Sequence, residues 1–576
     1  MRWLFRQAVL KAIAFPIRRQ LARFEDATHQ PRKAQEQLLQ RILRTQAQTD
    51  FAKKHHFSTI RTIADFRRHL PLAGYDYFEP YLARVRRGDL RALLADRRVH
   101  MFALTSGTTA ARKYIPVTQQ YLADYRRGWH FWGLRVYWDH PETKLRPILQ
   151  LAGDCDEYRT EADIPCGSVT GLTAKMQMRI VQRLYCSPPW GGKIKDAEAK
   201  YYVALRLSLH RDLGLIIAAN PSTLVSLART GDQHKELLIR DLHDGTLTNR
   251  IDLPGEMRQA LKHRLRRLPH RAKELEAIIA RTGHLYPRDY WPPYTVLGNW
   301  TGGSAGAYLR LYPEYFGDKI VRDVGLIASE GRMSIPFADG TPSGVLDIMS
   351  HYFEFIPEGD IDKPNPVVLS SHEVEEGRNY YIVPTTAYGL YRYNISDVVR
   401  VTGFYNRTPL VEFLSKGAHF SNLTGEKLSE YHITQAMDWI LRQMKLTLGA
   451  YALSPCWHHE QPYYGLFVES CDLATEATGK ALISLLDQRL SELNIEYASK
   501  RQSRRLGSIR LEILNPGSWF AWDCKRLNSI GGTFEQYKRP CLLGDMGFRA
   551  SMPVQKEIQA EIPVQLSAGI AHQRTT

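Results

Sequence analysis

The run Leu104-Thr105-Ser106-Gly107-Thr108-Thr109-Ala110-Ala111-Arg112-Lys113 places four hydroxyl residues around a single glycine and follows them with two cations. The apolar residues Met101 to Leu104 lead into it, and Tyr114-Ile115-Pro116-Val117, rich in strand formers, leads away. A strand, a tight polar loop and a second strand is the simplest reading. Such a loop suits a phosphate. Gly107 lets the backbone approach an oxyanion, hydroxyls and N–H groups donate hydrogen bonds, and Arg112 or Lys113 supplies charge. It is not a Walker A loop, because G-x-x-x-x-G-K-[ST] is absent. Alone, the run fits a phosphate cradle and a polar surface hairpin equally well.

The rest of the chain alternates helices and strands, which points to an α/β fold. Residues 1–100 read as mostly helical, with apolar positions at three- and four-residue spacing over 34–45 and 63–70. An aromatic helix is expected over 119–138, its rings (Tyr121, Tyr125, Trp129, Trp132) serving the core in preference to a ligand. Residues 147–153 and 213–219 read as buried strands, the second followed by a helix capped by Asn220 or Ser222. Residues 234–282 read as helical and basic, with a solvated charged face. A strand at 294–297 runs into the glycine cluster 298–306 and then a helix over 307–316, an arrangement that binds nucleotides in α/β sheets. A strand at 324–327 ends in Ala328-Ser329-Glu330-Gly331, where Glu330 suits Mg²⁺ beside phosphates. Further strands are expected at 345–348, 352–356, 380–383 and 398–401. Asp397 reads as a turn residue, either accepting two ribose hydroxyls or capping the turn. After a polar connector over 419–430, a helix over 430–446, a strand around 464–469, a helix over 475–493 and a strand over 509–514 make a small α+β unit. The tail after residue 550 reads as irregular.

A chain of 576 residues exceeds one core, so two or more domains are expected. A net charge of +17 favours anionic ligands or surfaces. The cations are dispersed and no zinc-finger or RNP motif occurs, so nucleic acid is not an expected partner. Seven scattered cysteines without C-x-x-C indicate a reduced, cytoplasmic setting and no structural zinc. Cys456-Trp457-His458-His459 lacks partners at ligand spacing. There is no run of 18 apolar residues, hence no expected transmembrane helix. Residues 1–24 carry Arg2, Arg6, Lys11, Arg18, Arg19 and Arg23 before the first acid, Glu25, with apolar residues at helical spacing. That helix either packs its stripe on the body of the protein, the preferred reading, or makes peripheral contact with a membrane surface.

Four segments together resemble the auxin-responsive acyl-acid amido synthetases known by the name Gretchen Hagen, within the wider superfamily of adenylate-forming enzymes. They are Thr105-Ser106-Gly107-Thr108-Thr109; Ala328-Ser329-Glu330; Tyr391-Arg392-Tyr393-Asn394-Ile395-Ser396-Asp397 with the following Val401 to Pro409; and Phe534-Glu535-Gln536-Tyr537-Lys538-Arg539-Pro540. Trp300-Thr301-Gly302-Gly303 through Tyr308 matches the adenine-side segment more loosely, and the resemblance runs from about residue 30 to 545. Ala110 stands where many such loops have a second glycine, Ala328 replaces the first serine of a Ser-Ser-Glu pattern, and Ser396 stands where the family has glycine.

The resemblance implies ATP and Mg²⁺ as cofactors and a role for each matched residue. Ser106, Gly107, Thr108, Thr109 and Ser329 would hold phosphates, and Glu330 the metal. Gly302, Gly303 and Tyr308 would border the adenine, Phe413 would flank the nucleotide, and Asp397 would hold the ribose. Lys427 and Lys538 are candidate catalytic lysines for the α-phosphate. It further implies a large N-terminal domain of mixed sheets flanked by helices with a β-rich part (1–417), a hinge (418–427) and a small mobile α+β domain (428–576). The expected activity is ATP-dependent adenylation of a carboxylic acid followed by transfer to an amine, with an amino acid as the acceptor, in a monomer. An acyl-CoA synthetase using the same first half-reaction, or a non-catalytic nucleotide-binding or membrane-associated protein, are the alternatives.

Overall fold

The computed structural model describes residues 2–560 apart from 107–111, 177–178, 303–307, 310, 362, 364, 417–419, 447, 459–460, 520, 524 and 526–540. The chain divides into two compact units, Met1–Ala418 and His419–Thr576.

Unit 1 begins with helices α1 (Arg2–Thr28), α2 (Pro31–Gln46), α3 (Asp50–Lys54), α4 (Ile63–His69) and α5 (Tyr75–Arg86). The side chains of residues 1–13, which carry most of the apolar stripe read from sequence, lie outside the described residues, while the second half of α1 packs on unit 1. Leu21 and Phe24 are buried, and Phe24 meets the Phe131 ring at 5.5 Å, whereas Phe15 is 68% exposed. No helix among the described residues is long and apolar enough to cross a membrane.

The hydroxyl run joins β1 (Val99–Ser106) to β2 (Arg112–Thr118), an antiparallel pair. Helix α6 (Gln119–Asp139) follows at once, the Thr118 side chain accepting from the Tyr121 N–H as its cap. The aromatics of α6 are core: Tyr121, Tyr125, Phe131 and Trp132 are buried. After β3 (Ile148–Gln150) come β4 (Tyr158–Arg159) and β5 (Pro165–Gly167), which join the hairpin in a sheet of order β2-β1-β5-β4.

The chain continues through α7 (Val169–Lys175), α8 (Arg179–Gln182), α9 (Ala197–Ser208), β6 (Leu215–Ile217) and α10 (Pro221–Gln233). Asn220 caps α10, its side chain accepting from the Ser222 N–H, with Pro221 at the first helical position. The basic stretch after residue 234 breaks into α11 (Lys235–Asp244), α12 (Gly255–Leu261) and α13 (Pro269–Thr282), and α14 (Pro287–Tyr290) precedes β7 (Val296–Asn299). Strands β3, β6, β7 and β8 (Val321–Asp323) form a wholly parallel sheet in that order. All four residues of β7 are buried, as a strand covered on both faces requires. Trp132 ties α6 to this sheet by donating from Nε1 to the Asp323 carbonyl at 2.7 Å.

Of the helix expected over 307–316, α15 (Tyr312–Phe316) is described, and residues 307 and 310 lie outside the described residues. The strand expected at 324–327 lies earlier, at β8, because Asp323 turns the chain: its carboxylate accepts the Gly325 N–H at 2.6 Å. A two-residue turn then links β9 (Ile327–Ala328) to β10 (Gly331–Arg332).

The β-rich part of unit 1 is an antiparallel sheet ordered β11 (Ser334–Ile335), β12 (Gly344–Leu346), β17 (Thr408–Lys416), β16 (Asp397–Tyr405), β15 (Asn379–Thr385), β13 (Tyr352–Pro357), β14 (Leu369–Ser370).

In unit 2, the segment expected to be a plain connector contains a ribbon, β18 (Phe420–Ser421) paired with β19 (Leu428–Ser429). Helices α16 (Glu430–Met444), α17 (Glu476–Leu493) and α18 (Ile495–Gln502) accompany a sheet ordered β20 (Tyr451–His458), β21 (Gln461–Glu469), β22 (Arg510–Leu514), β23 (Val554–Gln559). Strand β23 corrects the reading of an irregular tail. Val554 and Ile558, in a mostly polar hexapeptide, suffice for an edge strand, which has to bury little. Cys456 is buried within β20, and the described residues hold no cluster of metal ligands.

Arg332 is a fully buried cation of unit 1. It is 1% exposed, donates from Nη1 to the Val324 carbonyl at 2.6 Å, and lies 4.5 Å from the centre of the Trp129 ring. Burial pushes its pKa down to about 10. A Cβ at Gly128 of α6 would come within 2.1 Å of its Cδ. Gly128→Ala should therefore lower stability in urea unfolding. The helix-propensity gain is about 1 kcal/mol, and overpacking a fixed side chain costs about 1–3 kcal/mol.

Candidate functional site

The β1–β2 register pairs Thr105 with Lys113 and Ser106 with Arg112. Gly107, Thr108 and Thr109 lie outside the described residues, and of Ser106 only the backbone is described. Lys113 lies 3.5 Å from the Tyr393 hydroxyl and 5.6 Å from the centre of the Tyr75 ring.

The Ser329–Glu330 turn is fixed to this hairpin. The Ser329 hydroxyl donates to the Leu104 carbonyl at 3.4 Å, and the Tyr121 hydroxyl donates to the Ser329 carbonyl at 3.0 Å. The Tyr388 hydroxyl donates to the Glu330 carbonyl at 3.0 Å. Gly331 closes the turn at φ 134°, a backbone region that side chains rarely adopt. A Cβ there would come within 2.5 Å of the Tyr388 hydroxyl and 2.7 Å of His351 Nε2. Glu330 is 6% exposed, and its carboxylate lies close enough to the Tyr393 hydroxyl to act on it. Burial first, and then the Glu330 charge, push the Tyr393 pKa well above the ordinary tyrosine value.

Tyr393 and Asp397 come from the segment leading into β16. Ala73 holds that segment on both sides: its N–H donates to the Arg392 carbonyl at 3.2 Å, and its carbonyl accepts the Asn394 N–H at 2.9 Å. Arg392 is buried; it donates to Glu354 at 2.8 Å and to the Leu70 carbonyl at 2.6 Å. Asp397 is buried as the first residue of β16, one residue past the expected turn, and its charge is felt at Tyr393.

Gly302 and Phe413 also meet. A Cβ on Gly302 would lie 3.0 Å from the Phe413 carbonyl oxygen. Asp323 shapes this turn, accepting from the Thr301 N–H at 2.6 Å and the Thr301 hydroxyl at 2.8 Å. Phe413 pairs with Val399, two residues from Asp397, so β16 and β17 connect the two clusters. Tyr308 is buried, and Gly303 lies outside the described residues.

Lys427 belongs to unit 2 and is described there by itself. It has φ 45° in the turn between β18 and β19. The Glu426 carboxylate organises that turn, accepting from the N–H groups of Leu423 (2.6 Å) and Thr424 (2.7 Å) and from the hydroxyls of Thr424 (2.8 Å) and Tyr464 (2.5 Å). Lys500 lies close enough to feel Glu426 and Lys427, and burial lowers its pKa to about 8. Lys538 lies outside the described residues.

Sequence reasoning missed Asp323, Arg392 and Glu426. Arg392 and Glu426 stand inside segments quoted for other residues, and neighbourhood to Tyr393 and Lys427 was the available signal. Asp323 carried none.

Structures of adenylate-forming ligases share this fold. AtGH3.15, an acyl acid amido synthetase solved in complex with 2,4-DB, aligns with a TM-score of 0.64 at 19% identity, covering 94% of this chain and 97% of its own. A 2-hydroxyisobutyryl-CoA ligase, solved with 2-HIB-AMP and CoA, aligns with a TM-score of 0.51 at 15% identity over 90% and 91%. The fold is thus that of acyl acid amido synthetases and of acyl-CoA ligases. Residues 20–321, 344–416 and 431–546 match the N-terminal, central and C-terminal domains of the GH3 family, and the chain belongs to that family of acyl-acid amido synthetases. The jasmonoyl–L-amino acid synthetase JAR6 of Nicotiana attenuata is 25% identical over 550 residues, 90% of this chain and 92% of that one. The indole-3-acetic acid-amido synthetase GH3.8 of Oryza sativa subsp. indica is 26% identical over 561 residues, 88% and 87%.

Burial raises the Asp323 carboxyl to about 6. A raised carboxyl favours the protonated fold, so its contribution to stability is full below about pH 4 and is lost as pH rises through 6. Wild type should therefore gain about 1 kcal/mol over Asp323→Asn between pH 7 and pH 5 in urea titrations.

Proposed function

We propose that the protein activates a small carboxylic acid with ATP and passes the acyl group to the amino group of an amino acid. The observation that supports this reading is the attachment of the Ser329–Glu330 turn to strand β1 through Ser329 and to α6 through Tyr121, with Lys113 and the buried Glu330 both beside Tyr393. The curated relatives are named for jasmonic and indole-3-acetic acids; the acid handled here belongs to the same broad class of small organic acids.

In this reading Ser106, Gly107, Thr108 and Thr109 donate to the ATP phosphates, and Lys113 adds positive charge behind them. Asp397 accepts the ribose hydroxyls, while Gly302, Gly303, Tyr308 and Phe413 border the base. Glu330 fits Mg²⁺: it is one buried carboxylate on a turn fixed by backbone bonds, and Mg²⁺ is commonly held by one or two carboxylates plus substrate phosphates. Bound there, the ion would neutralise phosphate charge.

A carboxylate oxygen of the acid attacks the α-phosphorus, the bond to the β-phosphate oxygen breaks, and pyrophosphate leaves with the electron pair. The amine nitrogen then attacks the acyl carbon, the carbon–oxygen bond to AMP breaks, and the amine proton is released to solvent. Neither step needs a protein nucleophile. Positioning and a cation at the α-phosphate suffice, the latter supplied by Lys427 or Lys538.

Glu330→Gln should slow pyrophosphate release by about 10²–10³-fold at saturating Mg²⁺, with the urea midpoint little changed. An unaltered rate would remove Glu330 from metal binding. Mass spectrometry of products formed with mixed amino acids, and separately with coenzyme A, reads the acceptor. A thioester without any amide would assign the chain to CoA-ligase chemistry in place of amide synthesis.

A further inference from the structure

The parallel sheet ends at its carboxyl edge in a cavity of about 410 Å³. Leu151 and Ala152, directly after β3, form part of its wall, together with residues of α9, the 182–194 segment and Arg264. Strand ends at this edge are where ligands bind in α/β sheets. The Leu151 N–H donates to the Ile217 carbonyl of β6, and the Trp300 N–H beyond β7 donates to the Ala219 carbonyl. Strands β3 and β7 stand two places apart in this sheet, so the cavity and the turn that carries Gly302 both follow strand ends at the same edge.

The cavity wall is apolar with a one-signed charge. Arg183, Lys200 and Arg264 line it, and no carboxylate does among the described residues. Val203, Ala204 and Ile194 supply aliphatic surface. The Ser187 hydroxyl, also in the lining, is buried with no hydrogen-bond partner among the described atoms. Arg264 is half-buried, and its guanidinium donates to the Cys186 carbonyl at 3.4 Å. The surroundings add like charge: burial lowers the Arg264 pKa and Arg211 lowers it further, and His210 falls to about 4 through burial and then Arg211, Arg206, Arg266 and Arg271. Arg271 is paired with Glu274 and Arg206 lies near Asp241, but the cavity lining itself holds cations and no acid among the described residues, so an anion entering the hollow meets favourable charge.

We propose that this cavity receives the far end of the acyl substrate, and that the substrate is a carboxylic acid carrying a second anionic group at the end remote from the carboxylate that is activated. The inference rests on the adenylation reading and specifies its substrate class. The apolar wall covers the chain between the two anions, and Arg264, Lys200 and the Ser187 hydroxyl hold the distal one.

Pyrophosphate release is measured with straight-chain mono- and dicarboxylic acids matched carbon for carbon, on wild type and on Arg264→Gln and Lys200→Gln. For one chain length or more, kcat/KM for the diacid should exceed that of the monoacid by about tenfold, the worth of one charge-assisted contact. Each variant should raise KM for the diacid by about tenfold or more and leave monoacid kinetics within about twofold. Calorimetric titration of the preferred diacid without ATP should show the same loss in the variants. Monoacids turned over as well as or better than diacids at every length overturn the inference and leave the adenylation reading standing, as does an equal effect of the variants on both series. Absence of pyrophosphate release with every acid overturns the adenylation reading and this inference with it.

Discussion

Two phenols fix the backbone of the Ser329–Glu330 turn, and much of the site depends on them. Tyr121 and Tyr388 donate to successive carbonyls, with ring centres 4.8 Å apart, and burial raises both hydroxyls well above the ordinary tyrosine value. They therefore remain donors throughout the physiological range. A two-residue turn with both carbonyls taken, followed by a glycine under Tyr388 and His351, has little room to relax. The position of Glu330 is set by backbone geometry, so its carboxylate can meet a charged ligand without first being organised by it. Such preorganisation is where electrostatic catalysis gains most over water.

The buried carboxylates divide by what fills them. Asp323 takes the N–H groups of Thr301 and Gly325 and the Thr301 hydroxyl. Glu354 takes Arg67 and Arg392, each at 2.8 Å, and Glu426 takes two N–H groups and two hydroxyls. In each case protein donors occupy the oxygens, and the charge serves to hold a turn or a strand end in place. Arg392 shows how far this reaches: by joining Glu354 to the Leu70 carbonyl it anchors the segment from which Tyr393 and Asp397 project.

Legibility in the sequence follows the same division. The hairpin, α6, the cap at Asn220 and the short parallel strands were readable because local pattern and chemistry agree there. The strand at Val321–Asp323 was placed too late because the apolar run continues to Ile327, while the turn between is made by the Asp323 carboxylate, a contact no spacing rule contains. Strand β23 was missed because an edge strand needs few apolar residues, and β18–β19 because two-residue strands leave no periodicity. Glu330 and Asp397 were named from motifs, whereas Asp323 and Arg392 act through partners distant in the chain that no motif contains.

Ser396 shows how the site accommodates a departure from its family. The resembling motif has glycine there, and Ser396 adopts φ 59°, the left-handed region that glycine enters freely. A residue with a Cβ pays about 1–2 kcal/mol for that conformation. The surroundings supply the compensation: the Asn394 side chain accepts the Ser396 N–H at 2.8 Å, and the Asn394 N–H is itself held by Ala73 at 2.9 Å. Both bonds favour the same turn, so the strain is opposed locally and need not be relieved by moving Asp397, the next residue. Backbone strain persists where surrounding contacts over-determine a conformation, and here those contacts converge on the acid read as the ribose acceptor. The substitution thus changes the energy of the turn more than its shape.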